Sequence, residues 1–169
     1  DFCISNMLYN LSNYCHMKKK IAILGSTGSI GKSLVEIIRK DKKNFDVLLL
    51  TANKNHKTLL KQAKILKVKN IIVSNQKSYN LIKKKASRLN IKVFKDYNEL
   101  REIFKEKIYY TMSAISGLEG LDPTLRIIKY TKRIAIANKE SIICGWNLIK
   151  KKLTKHKTDF IPVDSEHFS

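Results

Sequence analysis

A doubly wound α/β domain, with a mostly parallel sheet and helices on both faces, is the fold this sequence predicts. Three observations predict it. Short β-type apolar runs alternate with longer helical runs from residue 17 onward, the pattern of repeated βαβ units. A glycine-rich turn, GSTGSIG at residues 25–31, joins the apolar run KIAIL to the amphipathic stretch KSLVEIIRK. Two polar clusters, ANKES and PVDSEH, follow the last two apolar runs, and a doubly wound sheet binds its ligands outside the carboxyl ends of its strands.

The first strand, Lys20–Leu24, rests on the run IAIL. The helix Ile30–Lys40 rests on Leu34, Ile37 and Ile38, which recur at helical spacing and make one buried stripe. VLLLTA predicts a second strand at Val47–Ala52, followed by a helix at Lys57–Leu66. NIIV gives the strand Asn70–Val73, and the helix Ser78–Leu89 leads to the strand Ile91–Phe94. A helix at Tyr97–Phe104 and a strand at Ile108–Met112 come next. In LDPTLRIIKY, Asp122 reads as an N-cap with Pro123 at the first helical position, opening a helix at Thr124–Tyr130. The strand Arg133–Ile136, the helix Ser141–Lys152 and the strand Phe160–Val163 complete the series. There is no internal repeat and no linker rich in Gly, Pro or Ser.

The 169 residues, 43% of them apolar, suffice for one domain with its own core. Three cysteines, Cys3, Cys15 and Cys144, form no C-x-x-C pair, which argues against a disulfide scaffold or a structural zinc site and suits a reducing, cytoplasmic compartment. The net charge of +20 raises the question of a polyanion partner. The lysines, however, are spread over every segment, with triplets at 18–20, 83–85 and 150–152, and no aromatic residues are interleaved for base stacking. They read as solvated helix faces, with no specific nucleic acid partner; clustering on one face would change that reading. No apolar run approaches the roughly 18 residues of a membrane span, and the short run after MKKK is too brief for a signal sequence.

Residues 1–16 contain no Lys or Arg in a chain otherwise full of them, so Met17 reads as the natural start and 1–16 as an extraneous or disordered leader. Residues 17–163 then read as one doubly wound domain, and the stop in PVDSEHFS, without tapering into polar residues, looks like a cut.

The glycines of the turn stand at 25, 28 and 31, one place different from the usual G-x-G-x-x-G, with Thr27 where the second glycine would be. The strand–loop–helix context still makes it a dinucleotide loop of the Rossmann-like kind. Gly25 allows the tight turn, Gly28 lets the backbone approach a pyrophosphate, and Gly31 lets the helix pack close to the strand. Ile30 starts the buried face, while Ser26, Thr27 and Ser29 bring hydroxyls to a helix N-terminus, where anions are favoured. The second strand chooses the cofactor. An NAD site carries an acid there for the ribose 2′-hydroxyl, whereas VLLLTANKNHK has none and ends in Asn53, Lys54 and Asn55. A cation flanked by amides suits a 2′-phosphate, hence NADPH.

In ANKES, Asn138, Lys139 and Glu140 lie between an apolar strand and a helix, in the crevice position; a plain polar helix start capped by Ser141 is the alternative. In PVDSEH, Asp164 and Glu166 are two residues apart and face the same side of an extended segment. Two converging carboxylates with no cysteine nearby suit a hard cation such as Mg²⁺ or Mn²⁺; His167 alone is weak evidence for zinc.

KIAILGSTGSIGKS, ANKES and PVDSEH, in this order and spacing, resemble the 1-deoxy-D-xylulose 5-phosphate reductoisomerase family, from about Met17 to His167. The resemblance implies an NADPH- and metal-dependent enzyme of non-mevalonate isoprenoid precursor synthesis. Such an enzyme rearranges a small phosphorylated sugar and then reduces the aldehyde to 2-C-methyl-D-erythritol 4-phosphate. The resemblance makes residues 17–163 the nucleotide-binding domain and 164–169 the start of a second, catalytic domain. It implies NADPH contacts at Thr27, Gly28, Ser29, Ile30, Asn53, Lys54, Asn55, Asn138 and Glu140. It further implies substrate contacts at Lys139, Ser165 and Glu166, catalytic roles for Lys139 and Glu166, metal ligation by Asp164 and Glu166, and a homodimer at full length. Asn53 stands where the family often has glycine, and Phe168-Ser169 replaces the usual continuation NAIFQ. The family's third acidic metal ligand, phosphate site and lid lie beyond Ser169, so the chain alone is expected to bind NADPH without turnover. Two other readings compete: a semialdehyde-type NADP-dependent dehydrogenase, which would need a nucleophilic cysteine, and a polyanion-binding module of the same shape.

Overall fold

The computed structural model describes residues 18–163. In chain order the elements are β1 (Lys19–Leu24), α1 (Ser29–Lys40), β2 (Phe45–Ala52), α2 (His56–Leu66), β3 (Asn70–Val73), α3 (Gln76–Ser87), β4 (Lys92–Phe94), α4 (Leu100–Ile103), β5 (Ile108–Ser113), α5 (Leu121–Ile127), β6 (Thr131–Ile136), α6 (Lys139–His156) and β7 (Asp159–Pro162). Single 3₁₀ turns flank α5 at Leu118–Gly120 and Ile128–Tyr130. All seven strands are parallel, in the order β4-β3-β2-β1-β5-β6-β7.

Alternation along the strands divides the core in two. Ile21 and Ile23 of β1 point to one face, where they join Leu34, Val35 and Ile38 of α1, Leu59 and Ala63 of α2, and Ile82 of α3. Ala22 and Leu24 point to the other, with Leu100 of α4, Ile127 of α5, and Ile149 and Leu153 of α6. A sheet apolar on both faces must be covered on both, which is why its strands read as continuous apolar runs. From β1 the chain winds outward to β4 with its helices on one face. It then returns beside β1 as β5 and winds the other way with helices on the opposite face. The direction changes between β1 and β5, and the connections leaving these two strands diverge there.

Every expected strand and helix is present; Asn70–Val73 keeps both ends and the others shift by a few residues. Two local expectations are corrected. Asp122 does not cap a helix: α5 opens at Leu121, Gly120 holds the N-cap position without a side-chain bond, and Asp122 lies inside the first turn, where its carboxylate pairs with Arg126 one turn on at 2.7 Å. The predicted helix Tyr97–Phe104 shrinks to Leu100–Ile103, because Tyr97 turns inward to the sheet's carboxyl edge.

Candidate functional site

A cavity of about 290 Å³ opens at the switch point, outside the carboxyl ends of β1, β2, β3 and β5. Thr27 and Gly28 wall one side, Asn53 and Ser74 another, and Ile115 and Ser116 of the loop after β5 a third.

The glycine turn is shaped as its spacing predicts, with one refinement. Gly25 adopts φ +75°, and a Cβ on it would lie 2.6 Å from the Ala114 carbonyl oxygen. Gly31 sits so close under the turn that a Cβ would lie 2.6 Å from the Ser26 Cα. Gly28 differs: a Cβ there meets nothing nearer than 3.5 Å. The protein itself leaves room for a side chain at Gly28. Gly28 is also the N-cap of α1, with no side-chain capping bond, and no acid stands in the first turn. The first amides of a twelve-residue helix therefore face the cavity side without a capping side chain, an arrangement that favours an anion.

The Ser26 hydroxyl is not offered to a ligand, contrary to the expectation from its place in the loop. It is fully buried and donates to Gln62 Oε1 at 2.8 Å, while Gln62 Nε2 donates to the Ser26 carbonyl at 2.8 Å. Thr51, at the end of β2, holds the other side. Its hydroxyl accepts from the Gly25 amide at 3.0 Å and from the Tyr97 hydroxyl at 2.9 Å, and its carbonyl accepts from the Ser26 amide at 2.9 Å. Burial pushes the Tyr97 phenol up to about 12, so at neutral pH it stays a proton donor.

The turn Asn53–Asn55 is exposed at the cavity's rim. Asn55 caps α2, its side chain accepting from the Thr58 amide at 3.4 Å. The Lys54 carbonyl accepts from the Ser78 hydroxyl at 3.0 Å, which ties the turn to α3. No aspartate or glutamate occurs between Val47 and Lys95, and the lysine triplet 83–85 lies exposed on α3. The triplets 83–85 and 150–152 occupy solvated helix faces while 18–20 lies at β1, and the segment 47–95 that contains Asn53–Asn55 carries no acid to offset its lysines.

Asn138 is 4% exposed and fills a local role. Its Oδ1 accepts from the Ser141 amide at 3.1 Å, which makes it, rather than Ser141, the cap of α6. Its Nδ2 donates to the Ile115 carbonyl at 2.6 Å and to the Gly117 carbonyl, pinning the loop after β5. Lys139 and Glu140 are exposed in the first turn of α6.

The structure thus brings Thr27, Gly28 and Asn53 onto one cavity, sets Ser29, Ile30, Lys54 and Asn55 beside it, and places Asn138 behind its wall. Asp164, Ser165, Glu166 and His167 lie outside the described residues. Among the described residues no cysteine lines the cavity, and Cys144 is exposed on α6. Among the described residues, no helix is long and apolar enough to cross a membrane. Sequence reasoning missed Thr51, Gln62, Tyr97 and the Ile115–Gly117 loop. The loop had a signal, the run AISG after the fifth strand; Thr51 and Gln62 lie in ordinary strand and helix sequence, and Tyr97 reads as the start of a helix that in fact opens at Leu100.

The sequence profile of the 1-deoxy-D-xylulose 5-phosphate reductoisomerase family matches residues 21–145. A relative named for that activity in Pelagibacter ubique is 61% identical over 153 residues, which are 89% of this chain and 39% of the relative. The chain thus spans about two fifths of the length of the curated relatives it matches. Among solved structures, the Zymomonas mobilis enzyme in complex with NADPH is 34% identical, with a TM-score of 0.80 over 89% of this chain and 40% of that one. A reductoisomerase in complex with NADPH, fosmidomycin and magnesium is 33% identical, with a TM-score of 0.79 over 88% of this chain and 37% of that one.

Proposed function

Because the chain belongs to the 1-deoxy-D-xylulose 5-phosphate reductoisomerase family, we propose that it supplies the NADPH-binding domain of such an enzyme. The protein carrying it converts 1-deoxy-D-xylulose 5-phosphate to 2-C-methyl-D-erythritol 4-phosphate, in the cytoplasm and as a homodimer.

The observation that carries this reading is the cavity at the switch point, walled by Gly28 and rimmed by the acid-free turn Asn53–Asn55. Thr27, Gly28, Ser29 and Ile30 hold the pyrophosphate against the N-terminus of α1. Asn53, Lys54 and Asn55 receive the 2′-phosphate, Lys54 by charge and the asparagines by their amides. Asn138 shapes the wall through the Ile115–Gly117 loop, and Glu140 contacts the cofactor from the first turn of α6. When bound, NADPH supplies the hydride that reduces the aldehyde carbon.

Lys139, in the first turn of α6, and Ser165 orient the substrate's hydroxyls. Asp164 and Glu166 are the residues of this chain that would hold Mg²⁺ or Mn²⁺, which supplies Lewis-acid stabilisation of charge at the substrate oxygens. Lys139 and Glu166 are the two residues proposed to touch the reacting atoms.

The test follows NADPH oxidation by the full-length protein at 340 nm, dependent on 1-deoxy-D-xylulose 5-phosphate and a divalent metal. Lys139→Ala and Glu166→Gln should each lower kcat by at least about a hundredfold. NADPH consumption that does not require this sugar phosphate would overturn the assignment.

A further inference from the structure

We infer that Gln62 is a positioning residue that sets the distance between the two ends of the nucleotide site, and so controls how strongly NADPH is preferred over NADH; this rests on the cofactor reading above. The reciprocal pair between Gln62 and Ser26, 2.8 Å in each direction, is one link of a closed circuit. From Ser26 the chain of bonds passes to Thr51 through the Ser26 amide and the Thr51 carbonyl. From Thr51 the backbone runs through Ala52 and the turn Asn53–Asn55 into α2, and Gln62, nearly two turns along that helix, closes back on Ser26.

The turn proposed for the 2′-phosphate, tied to α3 through Ser78, is therefore also flanked by two anchors that grip the same residue of the loop proposed for the pyrophosphate. Leu59 and Ala63 hold α2 against the sheet by apolar packing, which is non-directional, and Gln62 adds the polar tie that fixes the helix relative to the glycine loop. With Gln62 in place, a shift of α2 must break two bonds at a site where both partners are buried, Ser26 at 0% and Gln62 at 6% exposure. Buried groups deprived of a partner cannot recover it from water, so the circuit holds α2 in one place. Gln62 lies on the buried face of α2 with Leu59 and Ala63, away from the cavity rim, so its effect on cofactor binding is exerted through Ser26.

NADH engages the glycine loop but carries no 2′-phosphate for the far end. Loosening the circuit should therefore weaken NADPH more than NADH, an asymmetry that a uniform loss of structure does not produce. The experiment measures equilibrium binding of both cofactors to the full-length protein, unmodified and as Gln62→Met, Ser26→Ala and the double variant, each checked for native circular dichroism. Methionine keeps the volume and removes both bonds. Gln62→Met should cut the NADPH-to-NADH affinity ratio by about fivefold to tenfold, the scale of one or two lost hydrogen bonds. The double variant should match Gln62→Met alone, because both substitutions break the same link. An unchanged ratio, or a double variant whose loss is the sum of the single ones, would overturn the role of Gln62. Should Gln62→Met unfold the protein, Ser26→Ala, which leaves the Gln62 amide on the Ser26 carbonyl, must still lower the ratio measurably, and failure to do so would also overturn it. If the unmodified protein bound both cofactors equally, the cofactor reading itself would fail, a result distinct from either of these.

Discussion

Asn138, at the head of α6, donates its amide to the carbonyl of Ile115 at 2.6 Å, joining the start of one helix to the loop that leaves β5. The same side chain caps the helix through the Ser141 amide. Two functions share one residue, and they separate by substitution. Asn138→Asp keeps the cap but replaces the donor with an acceptor facing two carbonyls. It should lose about 2–3 kcal/mol in urea unfolding, close to the loss in Asn138→Ala. An aspartate variant as stable as the unmodified protein would show that the bonds to Ile115 and Gly117 carry no weight.

Two glycines of the turn should differ in how much the same change costs. Gly31→Ala puts a methyl 2.6 Å from the Ser26 Cα, both part of rigid backbone, and should cost about 2–3 kcal/mol of stability. Gly28→Ala meets only ordinary van der Waals distances and should cost less than about 1 kcal/mol in the same urea titration. Equal losses at both positions would contradict the packing described here.

Much of this was legible in the sequence, and the residues show why. The strands are buried on both faces, so NIIV and RIAI announced themselves by continuous apolar character, and the glycine spacing located the turn before any coordinates did. Spacing could not say which hydroxyl of GSTGS is consumed by the protein. Ser26 and Ser29 look alike in sequence, but Gln62, 36 residues from Ser26, buries one of them. Asp122 followed by Pro123 reads as a helix start by local rule, and the preceding 3₁₀ turn, which opens the helix at Leu121, is set by tertiary packing. The order of the strands, which puts β5 beside β1 and so creates the crevice, is likewise a long-range property that no local pattern encodes.

Cofactor discrimination should reside in Lys54. Lys54→Ala is expected to weaken NADPH by about tenfold and leave NADH within about twofold, as read by calorimetry, since only the 2′-phosphate adds charge there. Between 50 and 300 mM salt, NADPH affinity should fall more steeply than NADH affinity, because the neighbouring lysines from Val47 to Lys95 have no acid among them to balance them. Parallel salt dependences for the two cofactors would count against a 2′-phosphate site on this side.

Alkaline unfolding should report on Tyr97. Burial raises its phenol to about 12, above the ordinary value of 10. The folded state thus holds the proton more tightly than the unfolded one. The contribution is fully present below about pH 10 and is lost as pH rises towards 12. The Tyr110 phenol is raised by burial in the same direction and adds to the same slope. Tyr97→Phe should therefore be less sensitive than the unmodified protein to pH between 10 and 12, by denaturant midpoint. Identical pH slopes would mean that Tyr97 is not held neutral by the fold.

The central claim, that the crevice between β1, β2 and β5 takes the dinucleotide, is tested most directly by amide hydrogen exchange of the protein with and without NADPH. Protection should concentrate in three separate stretches, residues 25–31, 53–56 and 114–117, which adjoin one another only in this fold. NADPH that bound while leaving all three stretches unprotected, or that protected a different surface, would contradict the account.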